Sequence, residues 1–223
     1  SRYEFVSKHL PEGMQMMVSP CAGVFETVAE SLFGFETLSY LLADDPGLVQ
    51  DVFQKVGALH EAFYRTVIQM DNVGGFFQGD DLGFKTGTFL SPTAIRHLVL
   101  PWHRRFAEIA AGHGGMYWLH SCGNISSLME DLICEVGIAA FHSFQDEILP
   151  VQDFCRQYGN RVAALGGVDV GALCRLEEPD LRRYIRGIIS DCGGGRFAVG
   201  TGNSVANYVP LDAYRILLEE SRG

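Results

Sequence analysis

The chain has 223 residues, 47% of them hydrophobic and 20% charged, and its formal net charge is -10. This composition predicts one globular domain over residues 1–223 and excludes disordered and fibrous proteins. The acidic balance and the lack of a Lys/Arg cluster argue against nucleic acid as a partner. No apolar run approaches the roughly 20 residues that cross a bilayer, so no membrane partner is expected.

The six cysteines are scattered and form no Cys-x-x-Cys pair, which is typical of small buried side chains in a reducing compartment. They are Cys21, Cys122, Cys134, Cys155, Cys174 and Cys192. The start of the chain lacks the basic-then-apolar form of a signal peptide. We therefore expect a cytoplasmic protein. Because the chain starts at Ser1 and enters a helical pattern at once, we also expect it to be N-terminally incomplete.

The first half of the chain mixes apolar runs with helical periods. In chain order the patterns predict helix 1–10, strand 14–19, helices 24–32, 36–42 and 44–70, strand 73–78 and helix 91–111. An acidic cap before Pro46 marks the start of the long helix. Pro101 is expected to kink the helix at 91–111, because proline lacks an N–H and its ring crowds the preceding turn.

The second half repeats a strand followed by a helix four times. In chain order the patterns predict strand 115–119, helix 125–135, strand 138–141, helix 151–158, strand 162–165, helix 179–190, strand 196–199 and helix 211–220. Apolar strands in strict alternation with helices predict an α/β fold with a parallel sheet. We expect a TIM (β/α)8 barrel that lacks its first two β/α units, with an open doubly wound sheet as the alternative.

Functional side chains of parallel α/β folds lie at the carboxyl ends of the strands. Each of the six predicted strands ends in polar or glycine-rich residues. The candidates from this edge are Ser19, Asp80, Asp81, His120, Cys122, Asn124, His142, Gln145, Asp169, Thr201, Asn203 and Ser204. The four histidines on predicted helices are interpreted as surface residues; they are His60, His97, His103 and His113.

His120 and Cys122 stand two residues apart at the end of a predicted strand, so their side chains point to one face. Imidazole and thiolate are ligands of Zn²⁺, and such a zinc can hold an incoming thiol as a thiolate nucleophile. The alternative is a buried histidine beside a buried cysteine. Asp80 either binds substrate or caps a loop, and Asp169 either binds substrate or caps a helix.

Taken in order, these motifs resemble the uroporphyrinogen decarboxylase superfamily, which contains the haem-pathway decarboxylase and cobalamin-dependent methyltransferases acting on coenzyme M. The motifs are Asp80 after a strand, Ser91-Pro92 with Pro101, His-Ser-Cys-Gly at 120–123, Gly-Gly-Val-Asp at 166–169, the glycine-rich turn at 193–195 and Val209-Pro210. His-x-Cys is similar to the methyltransferase branch.

The resemblance implies transfer of a methyl group from a corrinoid, carried by a partner protein, to a thiol or related small-molecule acceptor. It implies zinc on His120 and Cys122, with Thr201 where a third, cysteine ligand is expected; Thr is a poor ligand, and Asp80, His142 and Asp169 are candidates to replace it. Asp80 joins His120 and Cys122 as a catalytic residue. Substrate would contact Asp81, Asn124, His142, Gln145, Asp169, Asn203 and Ser204.

Two other functions stay open. One is a uroporphyrinogen decarboxylase of porphyrin biosynthesis, in which Asp80 meets the pyrrole N–H groups; the chain offers few cations for the substrate's carboxylates. The other is a ligand-binding relative without catalysis. A homodimer is an assembly compatible with each of them.

Overall fold

The strands of this protein are short apolar runs that alternate with helices along the chain. The computed structural model describes residues 2–20 and 22–222. Its strands are β1 (Met16–Val18), β2 (Val73–Gly79), β3 (Gly83–Phe84), β4 (Gly87–Thr88), β5 (Met116–His120), β6 (Ala140–His142), β7 (Ala163–Val168) and β8 (Phe197–Thr201). Strands β3 and β4 form a separate antiparallel hairpin.

The other six strands form one parallel sheet in the order β1-β2-β5-β6-β7-β8. Each strand pairs with the next of its sheet along the chain, as in a barrel. The sheet has β1 and β8 as its two edges, so the fold is a partial (β/α)8 barrel. The predicted α/β class and partial barrel are confirmed.

The helices lie between the strands and run close to their predicted positions. They are α1 (Arg2–His9), α2 (Val24–Glu26), α3 (Phe35–Asp44), α4 (Pro46–Val67), α5 (Pro92–Leu98), α6 (Leu100–Gly112), α7 (Met129–Asp131), α8 (Val151–Tyr158), α9 (Val170–Arg175), α10 (Glu178–Cys192) and α11 (Leu211–Glu220). A π-helical segment, Thr27–Phe33, continues α2. A short 3₁₀ helix, Ser126–Leu128, precedes α7, and a second π-helical segment, Leu132–Val136, follows it. None of these described helices is both long and apolar enough to cross a membrane.

The predicted helix at 91–111 is two helices, because α5 ends before Val99 and α6 begins after it. Pro101 is the second residue of α6, where its missing N–H costs no hydrogen bond. The pattern also missed the β3–β4 hairpin and α9, whose first turn is capped by Asp169 accepting from Ala172 N at 2.9 Å.

The core lies between the sheet and the helices, and it fixes which way β5 faces. Tyr117 and Leu119 are buried on the helix side, at 2% and 0% exposure. Because side chains alternate along a strand, Trp118 and His120 face the opposite side, the concave side of the partial barrel. Burying an aromatic or leucine side chain contributes about 2 kcal/mol, so the orientation of His120 is set by its buried neighbours.

Candidate metal centre

Three side chains with metal-ligating atoms meet at the ends of β2 and β5. Gly79, the last residue of β2, is paired with His120, the last residue of β5. His120 Nε2 lies 3.5 Å from Asp81 Oδ1 and 3.4 Å from Cys122 Sγ. The ligand atoms of the three residues all lie within 4.8 Å of one another.

The loop after β2 is held against the loop after β5 by Asp81. The backbone N–H of Cys122 donates to Asp81 Oδ1 at 2.7 Å, and that of Leu82 donates to Ser121 Oγ at 3.0 Å. Asp81 therefore sits beside His120 and Cys122 as part of the local fold. Among the described residues it is the third member of the group, in place of Thr201 and of the alternatives Asp80, His142 and Asp169.

A chain of hydrogen bonds fixes the tautomer of His120. His142 Nε2 lies 3.1 Å from the carbonyl oxygen of Thr201, which can only accept, so Nε2 carries the proton. Burial, reinforced by His120, lowers the pKa of His142 to about 4, so its ring is neutral and Nδ1 has a lone pair. His120 Nδ1 lies 2.5 Å from His142 Nδ1 and must donate its hydrogen to that lone pair.

The second nitrogen of His120, Nε2, is consequently unprotonated and directs its lone pair at Asp81 and Cys122. Burial lowers the pKa of His120 as well, so the ring stays neutral, although the Asp81 carboxylate opposes the shift. A neutral imidazole whose other N–H is held by a hydrogen bond is the form that ligates metals. His142 and the Thr201 carbonyl thus orient a candidate ligand.

Cys122 lies beside the other two candidate metal ligands, His120 and Asp81, and beside the polar side chains of Asn203 and Ser143. Burial raises the pKa of its thiol to about 11, and the Asp81 carboxylate adds to the shift. Asn203 Nδ2 donates to Sγ at 3.3 Å and Ser143 Oγ at 3.9 Å, and both stabilise a thiolate. One imidazole nitrogen, one sulfur and one carboxylate oxygen around an open side fit the donor set of a catalytic zinc.

Asp80 faces the opposite way from Asp81, into the layer between sheet and helices. Its carboxylate is 0% exposed and accepts from Phe25 N at 3.1 Å and Glu26 N at 2.9 Å, at the start of α2. Its Oδ2 also lies 2.9 Å from His103 Nε2. The catalytic role of Asp80 stays a prediction; the observed contacts are those of a carboxylate that anchors a helix.

The interpretation of His103 as a surface residue was wrong. Its side chain is fully buried, and its two ring nitrogens bond Asp80 and, at 2.6 Å, the hydroxyl of Tyr117. A buried carboxylate requires donors on its helix side, and His103 supplies one. His60 is half buried, whereas His97 and His113 are exposed as predicted.

The other predicted substrate residues divide between the site and the loops around it. Gln145 and Asp169 line a cavity of about 680 Å³ that also reaches Cys122. Asn203 touches the Cys122 sulfur. Asn124 shapes a turn through Ser126 N at 3.2 Å, and Ser204 is exposed and donates its N–H to Asn203 Oδ1 at 2.7 Å.

Sequence reasoning missed two charged residues near this edge. Glu26 is half buried at the start of α2, and burial raises its pKa to about 7, with the charges of Asp80, Asp81 and Glu30 adding to the shift. The sequence signal for Glu26 was its position three residues after Gly23. Its carboxylate accepts a hydrogen bond from the Gly23 N–H at 3.1 Å. Arg175 lines the cavity from the end of α9, a helix that the pattern did not predict.

The fold is a partial (β/α)8 barrel, and it carries a group of residues that could hold a metal ion. No protein-family model matches the chain, and no curated protein matches its sequence. Solved structures do match, among them a methyltransferase from Methanosarcina mazei, with a TM-score of 0.77 and 14% identity. The match covers 99% of this chain, which spans 62% of the length of that structure.

Proposed function

We propose that this chain belongs to a methyltransferase of the uroporphyrinogen decarboxylase superfamily, which moves a methyl group from a corrinoid on a partner protein to a thiol acceptor. The observation that carries the proposal is the Asp81, His120 and Cys122 group, at the carboxyl ends of the strands of a methyltransferase-like fold. The tautomer of His120 adds support, because it directs a lone pair into that group.

Each side chain of the site has a defined part in this function. His120, Cys122 and Asp81 would hold a zinc ion, which when bound lowers the pKa of an acceptor thiol and so supplies a nucleophile at neutral pH. Asn203 and Ser143 donate to the Cys122 sulfur and stabilise its thiolate form. The cavity of about 680 Å³ beside Cys122 gives an acceptor room to approach.

The placement of Asp80 weighs against the decarboxylase alternative. That function needs an acidic group exposed to the pyrrole N–H groups of a tetrapyrrole. The Asp80 carboxylate is 0% exposed and is already bonded by Phe25 N, Glu26 N and His103. Reaching a substrate would require breaking these bonds, each of which contributes about 1.5 to 3 kcal/mol as a bond to a charged group.

The proposal is tested by metal content and by methyl transfer. Purified chain, loaded with zinc and desalted, should retain about one zinc per molecule, whereas Cys122→Ala, His120→Ala and Asp81→Asn should each lower the retained zinc severalfold. Cys174→Ala is the matched control, because Cys174 is an exposed cysteine outside the group. Equal zinc content in all of these proteins would refute the site.

Activity is measured separately, as loss of methylcobalamin in the presence of a small thiol. The zinc-loaded chain should accelerate this loss, and Cys122→Ala should abolish the acceleration. Retained zinc without any acceleration would instead favour the ligand-binding relative that lacks catalysis.

A further inference from the structure

A line of buried polar side chains crosses the layer between the sheet and helix α6. The hydroxyl of Tyr117 lies 2.6 Å from His103 Nδ1, and His103 Nε2 lies 2.9 Å from Asp80 Oδ2. All three side chains are buried. Apolar side chains of similar volume often replace buried charged groups without loss of stability. The place of this line in the core therefore points to a role beyond packing.

The two hydrogen bonds of this line hold the His103 ring in one orientation. The Asp80 carboxylate only accepts, so His103 Nε2 carries the hydrogen of the bond between them. Burial raises the pKa of Tyr117, so its hydroxyl keeps its proton and can donate to His103 Nδ1. A flip of the ring would put carbon atoms in place of both nitrogens and would lose both bonds. His103 is therefore fixed as a donor to Asp80.

The far end of the line holds the Asp80 carboxylate in one position. Besides His103, its donors are the backbone N–H groups of Phe25 at 3.1 Å and Glu26 at 2.9 Å, at the start of α2. A Cβ on Gly23 would lie 2.1 Å from Asp80 Cγ, so the carboxylate fills the space above that glycine. These donors and the close backbone together fix the direction of the Asp80 side chain.

The direction of Asp80 sets the side to which the next residue points. In β2 the buried residues Phe76 and Gln78 face the helices, and Asp80 continues this alternation just beyond the end of the strand. Its N–H still donates to the carbonyl of His120 at 2.9 Å, as in a parallel ladder. Because successive side chains point to opposite faces, Asp81 is directed to the concave side. There its Oδ1 lies 3.5 Å from His120 Nε2.

We infer that His103 is a positioning residue for the candidate metal ligand Asp81 and that it acts through Asp80. While His103 donates to Asp80, that carboxylate stays on the helix side, and Asp81 stays where the N–H of Cys122 donates to its Oδ1 at 2.7 Å. Without this donor, the buried Asp80 carboxylate turns toward water and takes Asp81 out of the site. The inference rests on the proposed function only in that Asp81 binds the metal; the positioning is a property of the metal-free chain.

The first test measures hydrogen exchange of the Cys122 amide, the donor to Asp81, in the metal-free chain. His103→Leu removes a donor from Asp80 and should speed this exchange about tenfold, as expected for a lost hydrogen bond to a charged group. His103→Gln keeps an N–H for Asp80 and should restore slow exchange. Ile188→Ala is the control, because Ile188 is fully buried on α10, which packs against β7 and β8. Equally fast exchange in the control would assign the effect to lost stability and overturn the inference.

The second test connects this positioning to the metal through a double-mutant cycle. His103→Leu should weaken zinc binding about tenfold in the wild-type background, the lower end of the effect of losing a group that orients a ligand. In an Asp81→Asn background it should weaken zinc binding by no more than about twofold, because the ligand that it positions is already lost. No loss in the wild-type background, or an equal loss in both backgrounds, would overturn the inference.

Tyr117→Phe is a milder variant of the same line, and it decides the question if His103→Leu does not fold. It removes only the hydroxyl that holds the His103 ring. The amide of Cys122 should then exchange severalfold faster, and zinc binding should weaken severalfold in the wild-type background but not in the Asp81→Asn background. Exchange and zinc affinity at wild-type levels in this variant would contradict the inference.

The outcomes separate this inference from the proposed function. If the wild-type chain retains no zinc and the Cys122 amide responds to His103→Leu and His103→Gln as expected, the positioning stands and the metal function fails. If the wild-type chain binds zinc and neither zinc affinity nor Cys122 exchange responds to His103→Leu, the metal function stands and the positioning role of His103 is refuted.

Discussion

A hydrogen bond between two imidazoles decides which atom of His120 faces Asp81 and Cys122. The order of donors runs from His142 Nε2 to the Thr201 carbonyl, and from His120 Nδ1 to His142 Nδ1. Removing His142 would free His120 to rotate or to change its tautomer. His142 therefore orients the His120 ring, and both of its own ring nitrogens are already hydrogen-bonded.

Replacement of His142 by Phe is expected to weaken zinc binding 10- to 100-fold, the usual effect of losing a partner that orients a ligand. The measurement is competition for zinc with a chelating dye at pH 7.5. His97→Phe serves as the control, because His97 is exposed on α5. An unchanged zinc affinity in His142→Phe would contradict the orienting role.

Glu26 makes stability depend on pH. Burial raises its folded pKa from 4.5 to about 7, so the fold favours the protonated carboxyl. The stability that this preference contributes is fully present below pH 4.5 and is lost as pH rises through 7. The loss is about 1 kcal/mol, because Glu26 is only half buried and solvent screens its charge.

Glu26→Gln removes this titration and keeps an oxygen to accept from Gly23 N. In urea unfolding at pH 4.5 and at pH 8, the free energy of unfolding of the variant should rise by about 1 kcal/mol relative to that of the wild type between the two pH values. Glu36→Gln, at an exposed residue of α3, is the control and should show no such gain. A pH-independent difference would show that the Glu26 carboxyl is not perturbed by the fold.

Part of this site could be predicted from the sequence. The spacing predicted that His120 and Cys122 lie side by side on one strand face. The structure brings the two side chains within 3.4 Å of each other, although β5 ends at His120. Asp81 could not be separated from Asp80, because the choice depends on how the chain leaves β2 and on the N–H of Cys122, which donates to the Asp81 carboxylate. His103 is buried because it supplies a hydrogen bond to the buried Asp80 carboxylate. This is a tertiary contact, and the helical periodicity of the sequence does not predict it.

At the scale of secondary structure, the β3–β4 hairpin is held against the His-x-Cys loop by a glycine. Gly123 has φ of +81°, and a Cβ there would lie 2.2 Å from the carbonyl carbon of Gly83. The neighbouring N–H of Asn124 donates to the carbonyl of Phe84 at 2.8 Å. The loop and the hairpin thus approach more closely than any residue with a side chain allows.

Gly123→Ala is expected to separate the hairpin from the loop and to cost about 3 kcal/mol, the sum of left-handed strain and a backbone clash. Gly114→Ala is a matched control, because Gly114 has φ of +71° with nothing within 4 Å of its would-be Cβ. It should cost about 1 kcal/mol, from strain alone. The measurement is urea unfolding, with hydrogen exchange of the Asn124 amide reporting the hairpin. Equal costs for the two variants would contradict the close approach.

Elements with many periodic residues were predicted well, and short ones were not. Helices α8 and α11 match the predicted bounds, since strong amphipathic patterns determine them. Strands β3 and β4 have two residues each, which is too few to show alternation. Helix α9 is six residues long and begins directly after Asp169, whose capping role was one of the two alternatives considered.

At the scale of the whole molecule, the sheet has two edges, β1 and β8. Strand β8, Phe197–Thr201, consists of uncharged residues, and Ala198 is exposed. An uncharged edge strand offers unpaired backbone groups to another sheet. Self-association through β8 is therefore expected for this chain in isolation.

Ala198→Lys should reduce this association, because a lysine on an edge strand opposes pairing with a second copy. Light scattering after size-exclusion chromatography, at several protein concentrations, measures the effect. Ala58→Lys is the control, since Ala58 is exposed on α4. Association that persists in Ala198→Lys to the same extent as in the control would assign the contact to another surface.

Thr201 contributes to the site through its main-chain carbonyl, which every amino acid possesses. The contact with His142 therefore places no demand on the identity of residue 201, and substitutions there can accumulate without disturbing the imidazole pair. A motif search that requires a cysteine at residue 201 will miss some proteins. It will miss those in which a carboxylate at the end of a different strand lies beside the same His-x-Cys pair. A search for an aspartate two residues after the β2 strand, combined with His-x-Cys after β5, would recover them.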